Sequence, residues 1–274
     1  MPTQSRTIAT IDDVVEALDV IVARAREERS RVGYFAAVYR KVTAKIAEGI
    51  ATGFFDDGPR MERLDVAFAG RYLDALEGHR SGVAITKSWE RAVEAATSPR
   101  PIVVQHLLVA INAHINLDLG IAAAEVAPGP SLVELRRDFD RINEIMAWLI
   151  AGVVRDVARV SPLIGLLDRI GGRRDDELIR FSIEVARTEA WRFAVELAPL
   201  DRDDWSGPIG ARDARVAGIA RRVLHPGLLS VGLLVIRAAE SKDVSRVIDA
   251  LNRVEMPDLT LVEASRREPR ATTR

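Results

Sequence analysis

The stretch that decides the fold is residues 101–126, which read PIVVQHLLVAINAHINLDLGIAAAEV. Apolar residues fill nearly every position, so a helix formed here is apolar on almost all sides, as is typical of a helix buried at the centre of a domain. Proline-containing breaks bound the stretch at residues 98–101 (SPRP) and 127–130 (APGP). The sequence therefore predicts one long, central, buried helix.

Helical periodicity extends along nearly the whole chain. An i, i+3, i+4, i+7 apolar stripe starts at Ile11, and Thr10 with Asp13 makes a capping pair before it. Ser131, with Glu134 three residues later, is expected to cap the long helix that follows the central one. Alternating apolar and polar runs are absent, which disfavours strands. The other helices are predicted at about 33–52, 59–77, 86–96, 131–160, 175–198, 209–224, 228–239 and 244–253.

These patterns predict an all-α, single-domain multi-helix bundle with about ten helices around the central apolar helix. The domain is expected to cover residues 11–254, after an N-terminal arm at 1–10 and before a basic C-terminal tail at 255–274. The helix at 228–239 is strongly apolar, so a homo-oligomer is one expectation for it, although a core helix would have the same composition.

Composition and charge exclude several classes of protein. The formal net charge is -1, which argues against a nucleic-acid binder. Cysteine is absent, so disulfides, zinc fingers and thiol catalysis are excluded. The N-terminus has no apolar signal segment, and the apolar runs at 145–154 and 228–236 are shorter than the ~20 residues that cross a bilayer. A cytoplasmic protein without a membrane span is expected.

Polar residues interrupt the central helix along two lines. Gln105, Asn112 and Asn116 share one line, and His114 with Asp118 share another, roughly opposite. Because polar groups on a buried helix are costly unless paired, they belong either to a hydrogen-bond network or to a site. Substrate binding is the functional role expected of Asn112 and Asn116.

His114 and Asp118, four residues apart, could hold one divalent metal ion such as zinc, iron or manganese. His106 and Glu144 are the further ligands expected, although no HExxH or paired Glu-x-x-His motif is present. The alternatives are a metal-free polar site and a His114 that simply packs against Asp118.

Two other helices carry candidate side chains. Asp65, Arg71 and Tyr72 fall in LDVAFAGRYLD and could anchor a carboxylate or carbonyl group, or form a salt bridge between helices. Arg187 and Trp191 are spaced to stack on each other, and Asn143 lies deep in the long helix after the central one. Arg187 is grouped with the catalytic candidates, and Trp191 and Asn143 with the substrate-binding ones.

Together these residues resemble an uncharacterised bacterial family of all-helical domains of unknown function, over about residues 11–252. Its most specific part is the segment 112–119, NAHINLDL. The resemblance implies a helical domain and carries no activity. The segments that support it are Tyr34-Phe35 with Tyr39, Phe55-Asp56-Asp57, Leu64-Asp65 with Phe68-Ala69 and Arg71-Tyr72-Leu73, Trp89, Gln105-His106, and Arg187 with Ala190-Trp191.

The functional expectation is an enzyme that acts on a small, largely apolar molecule in a cavity between helices. His114 would be its general base or metal ligand, with Asp65, Arg71, Tyr72 and Arg187 as catalytic partners. Metal-assisted hydrolysis and metal-free acid–base chemistry both remain open. The alternative is a non-catalytic helical ligand-binding protein or scaffold whose polar residues form a buried structural network.

Overall fold

A computed structural model describes residues 8–163, 183–227 and 230–253. Every regular element in these ranges is helical, which confirms a single-domain all-α fold. Residues 1–7 of the expected arm, the tail at 255–274, and the predicted helix start near residue 175 lie outside the described residues. The α-helices are α1 (Ile11–Glu27), α2 (Val32–Ala51), α3 (Gly58–Ser81), α4 (Lys87–Thr97), α5 (Val103–Ala113), α6 (Leu119–Val126), α7 (Leu132–Val160), α8 (Ile183–Leu197), α9 (Ser206–Leu224), α10 (Ser230–Ala239) and α11 (Val244–Asn252).

The predicted central helix is present, but it is not a regular α-helix throughout. A single π-helical turn, His114–Asp118, joins α5 to α6, so that residues 103–126 form one continuous rod. Helices α2, α3, α4, α8 and α9 all pack against this rod. By length and composition alone the rod could also cross a membrane, but 89% of its most apolar window is buried inside the protein.

Close approach at the centre depends on one small residue. A Cβ atom added at Gly120 of α6 would lie 2.7 Å from the backbone oxygen of Ala190 in α8, and within 3.1 Å of the Phe193 side chain. Because real Cβ atoms essentially never approach backbone this closely, glycine is required for α6 and α8 to touch.

Buried carboxylates from distant helices satisfy backbone N–H groups at three helix starts. Asp138 of α7 accepts from the amides of Asp56 and Asp57, just before α3. Asp213 of α9 accepts from the amides of Lys87 and Ser88 at the start of α4. Glu240 accepts from the amide of Val103 at the start of α5. A negative charge at a helix N-terminus also stabilises the helix by its interaction with the helix dipole. These carboxylates therefore fix how the helices meet.

Local capping confirms one prediction and overturns another. Thr10 and Asp13 form the expected reciprocal capping box at α1. Ser131 does not cap α7, because its backbone is already helical and its hydroxyl donates to the oxygen of Pro128 across a 3₁₀ turn, Gly129–Ser131. Helix α3 also continues to Ser81, beyond the predicted end near 77, and α9 begins at Ser206 rather than 209.

The apolar helix α10 is only half buried. Gly232 and Ile236 face the protein, while Val231 and Leu234 are 71% and 70% exposed. The described structure shows nothing that covers this face. Homo-oligomerisation through it therefore stays a prediction.

Candidate functional site

The π-helical turn places the two most distinctive residues of the sequence. His114 begins it and Asp118 ends it, and both are buried. A π turn widens the helix by one residue and leaves a backbone carbonyl to be satisfied from outside, which is why such turns cluster at functional sites. Here the guanidinium Nε of Arg212 in α9 donates to the oxygen of Asn116 at 2.8 Å. Arg212 therefore stabilises the turn from a neighbouring helix.

Asp118 lies at the centre of a hydrogen-bond network. Arg71 Nε donates to its Oδ1 at 3.0 Å, and Trp89 Nε1 donates to its Oδ2 at 2.8 Å. His114 Nδ1 lies 3.5 Å from the same Oδ2, a long contact. These two donors fix the position of the Asp118 carboxyl group, so it can hold the imidazole in one orientation.

Aromatic rings enclose the imidazole of His114. The Phe68 ring stacks on it with centroids 3.6 Å apart, and the Tyr39 ring meets it edge-on at 4.5 Å. Burial lowers the pKa of His114, although the hydrogen bond with Asp118 acts in the opposite direction. The neutral imidazole therefore predominates at neutral pH. Three further rings lie within 6.1 Å of it, those of Phe35, Tyr72 and Trp89.

Three polar atoms in this cluster are buried without a hydrogen-bond partner among the described residues: His114 Nε2, Asp65 Oδ2 and the hydroxyl oxygen of Tyr72. The hydroxyl of Tyr39 is buried beside that of Thr43. Burial raises the pKa of Asp65 to about 8 and raises the pKa of both tyrosines. Unsatisfied buried polar groups are rare and each costs about 1–3 kcal/mol. Three of them in one cluster mark it as the candidate site.

The asparagine line predicted for substrate binding faces a different helix. Asn112 Nδ2 donates to the backbone oxygen of Val216 in α9, and Asn116 Nδ2 donates to Asn112 Oδ1. Gln105 Nε2 donates to the oxygen of Val223, also in α9. These contacts join the central rod to α9, on the side away from the His114 cluster. They are structural contacts between two helices, and they do not support substrate binding by Asn112 and Asn116.

His106 lies apart from His114. Eight residues separate the two along α5, a rise of about 12 Å. The His106 ring packs edge-on against Tyr34, with centroids 5.6 Å apart. Burial lowers the pKa of His106 to about 3. No shared ligand set with His114 follows from this placement.

Arg187, Asn143 and Trp191 form a second cluster, between α7 and α8. Arg187 is buried and donates to the side-chain oxygen of Asn143 and the backbone oxygen of Phe139. Its guanidinium lies 4.3 Å from the Phe139 ring centroid. The expected stacking of Arg187 on Trp191 is not what the structure shows. Trp191 lies instead under Arg136, at 4.8 Å.

The described residues contain no group of three or more histidine, aspartate or glutamate side chains that could hold a metal ion. His114 and Asp118 supply two ligands, and Asp118 is already bonded to Arg71 and Trp89. The side chain of Glu144, the fourth expected ligand, lies outside the described residues. The described residues therefore offer no third ligand for the metal hypothesis.

Sequence reasoning selected His114, Asp118, Asp65, Arg71 and Tyr72, and the structure brings these five together. It did not assign a site role to the rings that enclose them. An aromatic residue at helical spacing is usually read as core, so neither spacing nor composition distinguishes a ring that faces a site. The rings missed in this way are Phe35, Tyr39, Phe68 and Trp89.

Comparison with known proteins gives one match. A family described as a family of unknown function (DUF5995) matches residues 11–226. The matched range includes the π-helical turn and every residue of the His114 cluster, and it ends short of the expected 252. No curated protein and no solved structure matches the chain.

Proposed function

Since this chain belongs to the DUF5995 family, whose function is unknown, we propose a function from the site itself: acid–base chemistry by His114 on a small, largely apolar molecule. Asp118 orients the imidazole through Nδ1, which leaves Nε2 free to take up a proton. The observation that carries this proposal is that His114 Nε2 is buried with no partner in the part of the chain that the structure describes, while the opposite ring nitrogen faces a carboxylate.

The chemical character of the walls supports an apolar ligand. Rings from α2, α3 and α4 surround the imidazole. Arg71 and Asp118 form an ion pair there, so their opposite charges cancel. A neutral molecule enters such surroundings at lower desolvation cost than an ion does.

The tautomer of His114 provides a test that needs no substrate. If Asp118 accepts from Nδ1–H, the ¹⁵N NMR shifts of the His114 ring show a protonated Nδ1 and an unprotonated Nε2 at neutral pH. Asp118→Asn is expected to change this ratio, while Asp156→Asn, a substitution far along α7, is not. A protonated Nε2 in the unaltered protein would contradict the proposed base.

Ligand binding tests the second half of the proposal. A fragment library of neutral and charged compounds is screened by ligand-observed NMR against the protein and against His114→Gln. Neutral, apolar fragments are expected to bind the protein and to lose about tenfold or more in affinity in the variant, because glutamine lacks the imidazole ring and does not place an acceptor at the position of Nε2. His79→Gln, on the exposed end of α3, is the matched control. Equal binding to all three proteins would exclude a His114 site.

A non-catalytic role is the second candidate, and a specific observation favours it. The stacked rings of His114 and Phe68 fill the space between α3 and the central rod, as core side chains do. In that case the polar residues serve only to fix helix register. The two functions predict opposite changes in the free energy of unfolding when an unpaired polar group is removed.

A further inference from the structure

The two buried aspartates beside His114 have opposite surroundings. Asp118 receives hydrogen bonds from an arginine and a tryptophan. Asp65 of α3 is 3% exposed, its Oδ2 has no hydrogen-bond partner, and no cation among the described residues forms an ion pair with it. Paired carboxyl groups in unlike environments are how proteins assign one to be charged and the other to be neutral.

Asp65 is a hydrogen-bond donor at neutral pH. Burial raises its pKa to about 8, so the carboxyl group is mostly protonated below that pH. Burial also raises the pKa of the Tyr39 and Tyr72 hydroxyls, which therefore stay protonated. The cluster thus holds two buried O–H donors, on Asp65 and Tyr72, without an acceptor among the described residues, and a third hydroxyl, on Tyr39, beside that of Thr43.

The rings that carry two of these hydroxyls lie beside the imidazole of His114. The Tyr39 ring is 4.5 Å from the imidazole and 5.9 Å from the Tyr72 ring, between centroids. The carboxyl group of Asp65 is near enough to Tyr39 to raise the pKa of its hydroxyl further. One face of α3 supplies Asp65, Phe68 and Tyr72 together, because residues three and four apart share a helix face.

We propose that the substrate of this site is a neutral carbonyl compound whose oxygen accepts hydrogen bonds from Asp65 and Tyr72 while His114 removes a proton from the adjacent carbon. This inference rests on the proposed function and names its substrate class.

The step balances without a cofactor. The C–H bond next to the carbonyl breaks, and its proton goes to His114 Nε2. Its electron pair forms a C=C bond to the carbonyl carbon, and the C=O π pair moves onto the oxygen. The O–H donors stabilise the resulting enolate in a site of low polarity, where such bonds are strongest. Return of a proton from His114 Nε2 to the same carbon re-forms the C=O bond and ends the reaction as exchange.

Hydrogen–deuterium exchange at carbon measures this step directly. Acetone, cyclohexanone and acetophenone are each incubated with the protein in D₂O, and loss of the α-proton signal is followed by ¹H NMR against buffer. The protein is expected to accelerate exchange of at least one ketone. Loss of one oxyanion donor typically costs about 100-fold to 1000-fold in rate, so Tyr72→Phe and Asp65→Leu are expected to slow exchange to that degree.

Two further variants separate donor loss from damage to the fold. Asp65→Asn keeps a neutral donor of the same shape and is expected to retain more exchange activity than Asp65→Leu. Tyr34→Phe removes a buried tyrosine hydroxyl beside His106, outside the cluster, and is expected to leave exchange unchanged. Circular dichroism verifies the helical content of each variant.

The outcomes distinguish this inference from the proposed function. Exchange that His114→Gln abolishes but Tyr72→Phe and Asp65→Leu leave intact would keep His114 as base and overturn the carbonyl assignment. Absence of exchange with all three ketones would also overturn the carbonyl assignment. It would not contradict the proposed binding of apolar fragments. Binding of tetramethylammonium in preference to the ketones would overturn it as well, since the rings would then enclose a cation beside an ionised Asp65.

Discussion

Tyr72 provides the sharpest test of whether the His114 cluster is a site or only a core. Its hydroxyl is buried without a protein partner, and such a group destabilises the fold. Tyr72→Phe removes only this oxygen, so we expect the free energy of unfolding to rise by about 1 kcal/mol. Chemical denaturation of the two proteins measures the difference. A gain in stability is typical of functional residues, which proteins keep at a cost.

A structural network predicts the reverse for the same substitution. If the Tyr72 hydroxyl stabilised helix register, its removal would lower the free energy of unfolding by about 1 kcal/mol. Trp89→Phe gives the contrast, because it breaks a bond to the buried Asp118 carboxylate and should destabilise by about 2–3 kcal/mol under either function. Loss of stability in both variants would favour the non-catalytic alternative.

Asp65 makes stability depend on pH. Its pKa is raised by burial from the ordinary value of 3.8 to about 8 in the folded protein. Below the lower value both states are protonated, so burial has no ionisation cost. Between the two pKa values, Asp65 is ionised in the unfolded chain and protonated in the folded protein. Folding then requires the uptake of a proton, which lowers the free energy of unfolding by about 1.4 kcal/mol per pH unit. Stability due to this group is therefore full in acid and lost toward the upper value.

Comparison with Asp65→Asn isolates this contribution, because all other titrating groups are shared. The free energy of unfolding of the unaltered protein, minus that of Asp65→Asn, is expected to fall between about pH 4 and pH 8 and then level off. Denaturant unfolding at a series of pH values measures it. A difference that rises with pH would mean that Asp65 is ionised in the folded protein, which would remove it as a donor.

Helix α4 depends on a carboxylate from another helix. Asp213 accepts from the amides of Lys87 and Ser88 at 2.8 and 2.9 Å, and Thr86 makes no side-chain cap of its own. Asp213→Ala leaves those amides unpaired and is expected to destabilise by about 2–3 kcal/mol. Because α4 carries Trp89, the Trp89 fluorescence should change in the same variant. Asp203→Ala, on an exposed 3₁₀ turn, should stay within about 0.5 kcal/mol.

The central helix shows how far sequence alone could go. Its apolar composition and bounding prolines predicted its position and burial, and the separation of Asn112 from His114 into opposite lines agrees with their contacts to different helices. The π turn at His114–Asp118 could not be predicted, because it follows from tertiary contacts such as that of Arg212 and not from local propensity.

The hydrogen-bond and ion-pair partners of each site residue could not be predicted from the sequence either. Asp65, Arg71 and Tyr72 were grouped because they share one helix, and the structure divides them: Arg71 pairs with Asp118, whereas Asp65 has no ion pair. Which of two buried carboxyl groups receives the arginine depends on how α3 crosses the central rod. Helix crossing is a property of packing over the whole molecule, so spacing in one segment does not contain it.

Access to the cluster requires motion, since His114 is only 2% exposed. Its outer wall is α3, whose Phe68 stacks on the imidazole and is only partly buried, and whose Arg71 is 28% exposed while bonded to Asp118. Helix α5 on the other side packs on three helices and has little exposed surface. A ligand of His114 would therefore enter most easily by local opening of α3.

Native-state hydrogen exchange tests this asymmetry. Amides of α3 around Phe68 and Arg71 are expected to exchange through local opening, with little dependence on denaturant. Amides of α5 such as Val109 and Ala113 should exchange only through global unfolding. Arg71→Met removes the ion pair with Asp118 and should speed amide exchange in α3. Amides of α5 in this variant should still exchange only at the rate set by global unfolding. If α3 and α5 instead opened only together, no route would connect His114 with a ligand in the folded protein, and the cluster would have to be a structural network.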